Sequence, residues 1–180
     1  PGGAVDAVDH TIPLAAPPRP DCAAALARDS DLDPAVLIAA ATRELWEETG
    51  LLVGAPDPRA PQMQAPQGWR GYIATGHLPD GETTRFLFRA ITPPGRPRRF
   101  DARFFLIDAA ALRNDPDDLS RAEDELGHLH WVALDTVRGL DMPFITEVVL
   151  AELAAHLDGR AAQGVPFFDN RHEVSRFWRL

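Results

Sequence analysis

The amino-acid sequence predicts an α+β fold in which a mixed β-sheet is covered by helices. One observation is a pair of long segments with apolar residues at helical spacing, Pro34–Thr49 and Phe144–Leu157. Another is a set of short strand-like segments that do not alternate strictly with those helices, which fits a mixed sheet covered on both sides. The third is size, because 180 residues with 45% hydrophobic content correspond to one ordinary domain with a sizeable core.

The first helix has clear start and stop signals. Asp33 is a favoured N-cap residue, and Pro34 suits the first helical position, where its missing N–H is no loss. Gly50 stands where a left-handed residue commonly ends a helix. We therefore expect a helix from Pro34 to Thr49. The residues that repeat at three- and four-residue spacing and form its apolar stripe are Ile38, Ala41 and Leu45.

Four strands and a second helix complete the predicted elements. The strand-like segments are residues 51–53, 84–92, 100–107 and 129–134. The second helix begins after Pro143 and ends before Gly159. Residues 54–71 are rich in proline and glycine and residues 115–125 are acidic, so both segments are predicted to be loops.

The end of the first helix carries three carboxylates in about one turn. Residues 43–50 read RELWEETG, which places Glu44, Glu47 and Glu48 on one side of the helix. Like charges at this spacing repel by roughly 0.2–0.5 kcal/mol per pair, and a helix C-terminus already carries partial negative charge. A hard cation such as Mg²⁺ would resolve the conflict, because it prefers oxygen ligands. Arg43 is placed to orient one carboxylate through a bidentate pair. A merely solvated acidic face is the alternative.

The same string resembles a known signature. RELWEETGL, residues 43–51, matches every fixed position in the core of the Nudix box, the helix motif of the Nudix hydrolase family. The family's box opens with a glycine, five residues, an acid and seven more residues before the arginine. Gly3 and Asp9 fit this opening, with Asp in place of the usual Glu. Because 33 residues separate Asp9 from Arg43, we interpret residues 7–33 as a loop inserted within the box. Counting seven residues back from the arginine would instead put Ala35 at the acid position.

The resemblance implies a fold and a domain organisation. The fold would be a Nudix-type α/β/α sandwich with a mixed β-sheet, formed by residues 1–158. The tail of residues 159–180 is too apolar to be disordered. It would therefore pack on the domain or on a partner chain, so a homodimer remains open.

The resemblance also implies roles for individual residues. The candidate catalytic residues are Arg43, Glu44, Glu47, Glu48 and Glu125. Of these, the three helix glutamates would bind Mg²⁺ (or Mn²⁺), and the arginine would hold their carboxylates in place. Glu125 stands where some family members supply an extra carboxylate before a strand, and Glu123 is the neighbour that could replace it. Gly3 would let the N-terminal loop approach the substrate and the metal closely.

A second segment narrows the resemblance to one branch of the family. Residues 91–106, ITPPGRPRRFDARFFL, are similar to a segment of the branch that contains coenzyme A diphosphatases, with Ala102 where that branch commonly has Thr. Arg99 and Arg103 lie on one face of the predicted strand, where they could grip a phosphate of the substrate. The alternative is a structural ion-pair stripe centred on Asp101.

These motifs predict metal-dependent hydrolysis of a nucleoside diphosphate linked to another group. Coenzyme A or acyl-coenzyme A is the candidate substrate. ADP-ribose or another ADP-sugar is one alternative, and a non-catalytic Nudix-fold binding module is another. A net charge of −9 argues against nucleic acid as a partner. No apolar run reaches the ~18 residues that a membrane span needs, so we expect a cytoplasmic protein. A start at Pro-Gly-Gly without Met suggests that the native protein has upstream residues.

Overall fold

The structure is a computed structural model, and it describes residues 1–120 and 129–180. The chain divides into two compact units. The first comprises Pro1–Arg85 and Ile107–Leu129, and the second comprises Phe86–Leu106 and His130–Leu180. The helices, together with a sheet that has both parallel and antiparallel neighbours, confirm the predicted α+β class with a mixed sheet.

The first unit is mainly helical. Its helices are α1 (Pro20–Ala27), α2 (Pro34–Thr49) and the short α3 (Arg70–Ile73), and its strands are β1 (Ala55–Pro56) and β2 (His77–Leu78). Its 3-10 turns cover Ala7–Thr11, Ala60–Gln62 and Ala109–Ala111. The two short strands pair antiparallel.

Helix α2 has the bounds that the sequence predicts. The Asp33 carboxylate accepts a hydrogen bond from the Ala35 N–H at 2.8 Å, and Gly50 ends the helix with a φ of 72°. The predicted apolar stripe is only partly correct. Ile38 is buried, but Leu45 is half-buried, and Trp46 takes its place in the core. The buried side of α2 is therefore turned further towards Trp46 than the spacing of aliphatic residues suggests.

The core of the first unit is built around aromatic rings. Tyr72 makes edge-to-face contacts with Trp46 and Trp69, at centroid distances of 5.9 and 5.2 Å. The Tyr72 hydroxyl donates a hydrogen bond to the Val53 carbonyl at 2.5 Å. Burial raises the pKa of this phenol well above its ordinary value. The residues of this core are Ile12, Ala39, Trp46, Leu52, Ala60, Trp69, Tyr72, Ile73 and Leu78.

Two segments predicted as loops contain helical structure, so those predictions were wrong in part. Residues 7–33 hold the first 3-10 turn and α1, because Pro20 occupies the first helical position and alanines follow it. Residues 54–71 hold β1 and the start of α3. The strand predicted at 51–53 is reduced to an isolated bridge between Val53 and Leu112.

The second unit contains a four-stranded mixed sheet. Its strands are β3 (Arg85–Ile91), β4 (Asp101–Leu106), β5 (Pro166–Asp169) and β6 (Arg176–Arg179), in the order β4-β3-β5-β6. Strands β3 and β5 are parallel, and β5 and β6 are antiparallel. The unit also holds the 3-10 turn Val137–Gly139 and helix α4 (Phe144–Leu157), whose Val149 packs with Phe88 and Ala90.

One predicted strand is absent from this sheet. Residues 129–134 form no ladder with any described strand, and Trp131 among them is 58% exposed. Alternating apolar residues make a strand only where a neighbouring strand accepts and donates backbone hydrogen bonds. The prediction was therefore wrong for this segment. The predicted boundary between residues 1–158 and 159–180 stays a prediction, and strands β5 and β6 both come from the predicted tail. Across residues 1–120 and 129–180, no helix has the length and apolarity that crossing a membrane requires.

Candidate active site

Arg43 lies at the centre of a cluster of carboxylates in the first unit. Its Nη1 donates to Glu44 Oε1 and to Glu47 Oε2, both at 2.8 Å. Its Nε and Nη2 donate to the two oxygens of Asp9 at 2.9 and 3.1 Å, which is a bidentate pair. Nη2 also donates to the Ala4 carbonyl at 2.9 Å. One guanidinium therefore connects the N-terminal segment with the last turns of α2.

Asp9 is the most deeply buried member of the cluster, with none of its surface exposed. It receives hydrogen bonds from the Asp6 N–H at 2.8 Å and from Trp69 Nε1 at 2.9 Å, in addition to those from Arg43. Burial alone would raise the pKa of Asp9, but these hydrogen bonds together lower the pKa below its ordinary value. Asp9 is therefore an ionised carboxylate with donors on both oxygens.

The meeting of Asp9 with Arg43 bears on how the motif is laid out. Asp9 fits the opening of the signature, and the structure brings it to Arg43 although 33 residues lie between them. Position 35, the alternative for the acid, is an alanine in the first turn of α2. The interpretation of a box split by residues 7–33 stays a prediction, and it is the one that assigns Asp9 and Arg43 to the same motif.

The three glutamates lie together on α2. The side chains of Glu44, Glu47 and Glu48 are 15%, 30% and 19% exposed, so solvent and a small ligand can reach them. The Gly2 N–H donates to Glu48 Oε2 at 3.1 Å. A Cβ added at Gly3 would lie 2.5 Å from Glu44 Oε2, so a larger residue there would displace the Glu44 carboxylate from its present position.

The cluster contains more negative than positive charge. Arg43 faces Asp9 and two of the glutamates. Burial raises the pKa of Glu44, whereas the charge and the hydrogen bond of Arg43 lower it. The charges of Glu47 and Glu48 raise it further, so the pKa of Glu44 lies above its ordinary value. Oxygen ligands with surplus negative charge, without sulfur or imidazole, fit a hard divalent cation.

The glutamates do not by themselves form a closed metal cage. Within residues 1–120 and 129–180, no group of three or more His, Cys, Asp or Glu side chains has the arrangement of a metal site. Arg43 uses one oxygen of Glu44 and one of Glu47, and the second oxygen of each carboxylate lies outside those bonds. The residues therefore fit a cation that shares its coordination with water and substrate phosphates, as Mg²⁺ commonly does.

Two residues of this site were missed as functional candidates. Trp69 is fully buried, and its indole N–H donates a hydrogen bond to Asp9. Gly68, beside it, has a φ of 87°, and a Cβ there would lie 3.0 Å from Glu47 Oε1. The only available signal was an aromatic residue after a glycine in a segment otherwise rich in proline, glycine and glutamine.

The remaining predicted site residues belong to the second unit or lie outside the described residues. Arg103 belongs to the second unit, where its Nη1 lies 3.3 Å from Asp101 Oδ2, as in the ion-pair alternative. Arg99 donates to the Thr92 carbonyl at 3.1 Å and is 3.5 Å from the Asn170 carbonyl. Glu125, like Glu123, lies outside the described residues.

Comparisons with known proteins give one likeness. No family model matches the chain, and no curated protein is similar enough to match. A crystal structure of a NUDIX hydrolase from Alicyclobacillus acidocaldarius is similar at 23% sequence identity, over 83% of this chain and 73% of that one, with a TM-score of 0.43. A likeness of this extent does not by itself assign the chain to a family.

Proposed function

We propose that this protein is a metal-dependent hydrolase of the Nudix type that cleaves a nucleoside diphosphate linked to another group. The observation that carries the proposal is the guanidinium of Arg43, which joins Asp9 to Glu44 and Glu47. Residues that are distant in sequence but belong to one motif pattern thereby meet at a partly exposed cluster with excess negative charge.

The residues would divide the work as follows. Glu44, Glu47 and Glu48 would bind Mg²⁺ or Mn²⁺, and Arg43 would hold the first two carboxylates in position. The bound cation supplies polarisation of the phosphoryl oxygens and a lower pKa for the attacking water. Glu125, or one of the helix glutamates, would accept the proton of that water.

For the substrate, we propose coenzyme A or acyl-coenzyme A, with ADP-ribose or another ADP-sugar as the rival. The motive is the sequence of residues 91–106 and its arginines. Arg99 makes its described hydrogen bonds to carbonyl groups, so its charge is not matched by a carboxylate in those contacts. Arg103 already lies against Asp101, which makes Arg99 the better candidate for a phosphate.

Mg²⁺-dependent hydrolysis tests the activity. Glu48→Gln removes a ligand charge and keeps the shape, so kcat should fall more than tenfold, which is more than about 1.4 kcal/mol in the barrier. Glu82→Gln is the matched control, because Glu82 is an exposed glutamate of the same unit. A Glu48→Gln variant with more than a tenth of the wild-type kcat would contradict the assignment.

Metal binding can be tested without turnover. A cation that binds only the folded chain should stabilise it by about 2.7 kcal/mol at a hundredfold excess over its Kd. The melting temperature should therefore rise with Mg²⁺ in the wild type and rise less in Glu48→Gln. Substrate binding and a Mg²⁺ effect without any hydrolysis would favour the non-catalytic binding module instead.

The substrate is decided by comparing kcat/KM for coenzyme A, dephospho-coenzyme A and ADP-ribose. If an arginine contacts the 3′-phosphate, its loss should cost on the order of 1.5–3 kcal/mol, the scale of a hydrogen bond to a charged group. Arg99→Gln should then reduce the difference between the first two substrates. Equal rates on those two, or a preference for ADP-ribose, would defeat coenzyme A as the substrate and leave the diphosphatase proposal standing.

A further inference from the structure

Trp69 contacts the carboxylate cluster through Asp9, its buried member. Its indole N–H donates to Asp9 Oδ1 at 2.9 Å, the same oxygen that accepts from Arg43 Nε at 2.9 Å. None of the Trp69 side chain is exposed. We infer that Trp69 is a positioning residue for the metal-binding glutamates, an inference that rests on the proposed function.

The position of the indole is itself fixed by the core. Trp69 contacts Tyr72 edge to face at a centroid distance of 5.2 Å, and Tyr72 contacts Trp46 of α2 in the same geometry. The Tyr72 hydroxyl is tied to the Val53 carbonyl. The packing of these rings therefore fixes the direction in which the indole N–H points, which is towards Asp9.

The support reaches the glutamates through two further contacts. Asp9 holds Arg43 by a bidentate pair, and Arg43 Nη1 donates to Glu44 and Glu47. Beside Trp69, Gly68 passes so close that a Cβ would lie 3.0 Å from Glu47 Oε1 and 3.5 Å from Arg43 Cδ. The segment that carries Trp69 thus approaches two carboxylates that Arg43 also contacts, those of Asp9 and Glu47.

Replacing Trp69 by Phe removes the N–H that donates to Asp9 but keeps an aromatic ring in the core. The Asp9 carboxylate should then be held less firmly. Asp9 Oδ1 would keep only the Arg43 donor, so the carboxylate could rotate and the guanidinium with it. Residues that orient the groups around a metal site typically contribute 10- to 100-fold in metal affinity or activity. We therefore expect Trp69→Phe to weaken Mn²⁺ binding at least tenfold and to lower kcat more than it changes KM.

Trp46→Phe is the matched control. Trp46 belongs to the same aromatic group and core, and its ring contacts Tyr72 edge to face, whereas the indole that donates a hydrogen bond to Asp9 is that of Trp69. Both variants should lose thermal stability, whereas only Trp69→Phe should weaken Mn²⁺ binding, measured by electron paramagnetic resonance of free Mn²⁺. Equal Mn²⁺ affinity in folded Trp69→Phe and wild type would overturn the inference.

A double-mutant cycle asks whether Trp69 acts through Asp9. Asp9→Asn keeps an oxygen acceptor but removes the charge that holds Arg43. In the Asp9→Asn background, Trp69→Phe should change the Mn²⁺ affinity less than twofold. A full tenfold loss in that background would mean that Trp69 acts by another route, and the inference would be wrong.

Hydrogen exchange provides a readout that needs no metal. The Arg43 Nε–H is hydrogen-bonded to Asp9, so its exchange with water in the wild type should be slow by nuclear magnetic resonance and should accelerate at least tenfold in Trp69→Phe. Unchanged exchange would overturn the positioning role. Failure of the wild type to bind Mn²⁺ would instead overturn the proposed function, so the two failures are distinguishable.

Should Trp69→Phe not fold, the wild-type protein carries the test. On addition of Mg²⁺, the ¹⁵N resonances of the Trp69 indole and of Arg43 Nε should shift with the same midpoint. The indole of Trp178, in the second unit, is the internal reference and should not shift. A Trp69 resonance that stays unmoved at saturating Mg²⁺ would overturn the inference.

Discussion

Two arginine–carboxylate networks, one in each unit, have opposite compositions. In the first unit, one guanidinium, that of Arg43, serves Asp9, Glu44 and Glu47. In the second, one carboxylate, that of Asp101, lies between Arg89 and Arg103. Arg89 makes a bidentate pair with it, at 2.7 and 2.8 Å, and its guanidinium stacks 4.5 Å over the Phe167 ring.

The ratio of carboxylates to arginines makes the first network a candidate for cation binding and the second network unsuited to it. Around Arg43 the carboxylates outnumber the arginine, and the pKa of Glu44 is raised. In the described ion pairs of the second network, two arginines share the carboxylate of Asp101. Burial lowers the pKa of Arg103, and the nearby Arg89 charge lowers it further. We therefore expect Mg²⁺ to stabilise the first network and to leave the second unaffected, although both are built from the same two kinds of side chain.

The largest expected effect follows from removing Arg43. Arg43→Met keeps a side chain of similar length but leaves the buried Asp9 carboxylate without its partner, which should cost about 3–5 kcal/mol of unfolding free energy. Urea unfolding with a chelator present measures the loss. Part of it should return with Mg²⁺, because the cation offsets the charge that Arg43 no longer balances.

Arg160→Met is the control for that variant. Arg160 is an exposed arginine whose described ion pair is with the exposed Asp158, so its removal should cost less than about 1 kcal/mol. If Arg43→Met were no more destabilising than Arg160→Met, the Arg43 network would not contribute to the free energy of unfolding as its burial implies.

A smaller effect is expected in the second network. Asp101→Asn removes the charge between two arginines and should destabilise the fold by about 1–2 kcal/mol, at the low end for charged hydrogen bonds because 37% of the Asp101 side chain is exposed. Mg²⁺ should stabilise this variant as much as it stabilises the wild type. A reduced Mg²⁺ effect in Asp101→Asn would break the contrast between the two networks.

The smallest effect has the opposite sign. Glu44→Gln should increase stability by a few tenths of a kcal/mol at pH 7 in a chelator, because it removes a charge that is disfavoured first by burial and then by the charges of Glu47 and Glu48. The variant should also lose most of the stabilisation by Mg²⁺. For an acid whose folded-state pKa is raised, the destabilising contribution appears as pH rises through the unfolded-state value of about 4.3. The gain should therefore shrink as pH falls through that value and vanish about one pH unit below it. Its persistence there would refute the electrostatic cause.

Secondary-structure elements were predicted well where residues close in sequence mark their start and end. Helix α2 was predicted to the residue because Asp33 caps it and Gly50 ends it. Helix α4 and strands β3 and β4 were found from spacing and β-forming residues. The helices depend on contacts within a few residues, and β3 and β4 are adjacent in the sheet across a short connection. A single sequence displays such signals directly.

Elements that depend on distant partners were predicted less well. Residues 129–134 have the alternation of a strand, yet no described strand pairs with them. Strands β5 and β6 were not recognised, because β5 is stabilised by its parallel neighbour β3, which lies more than 70 residues earlier. For the same reason, the sequence indicated the glutamates of the candidate site but not the contact of Trp69 with Asp9, 60 residues away.

The separation of Asp9 and Arg43 in the sequence also has a consequence for how the site forms during folding. Asp9 and Arg43 can meet only after the segment between them has closed into a loop of 33 residues. Compared with the seven residues of the uninterrupted signature, the longer closure costs about 1.3 kcal/mol of chain entropy. This cost is small beside a buried ion pair, so a moderate change in the length of the segment would not by itself remove the pair. The same closure lengthens the sequence separation of contacts that hold the site. Helix α2 can therefore form early, while the charge cluster at its end is completed late in folding.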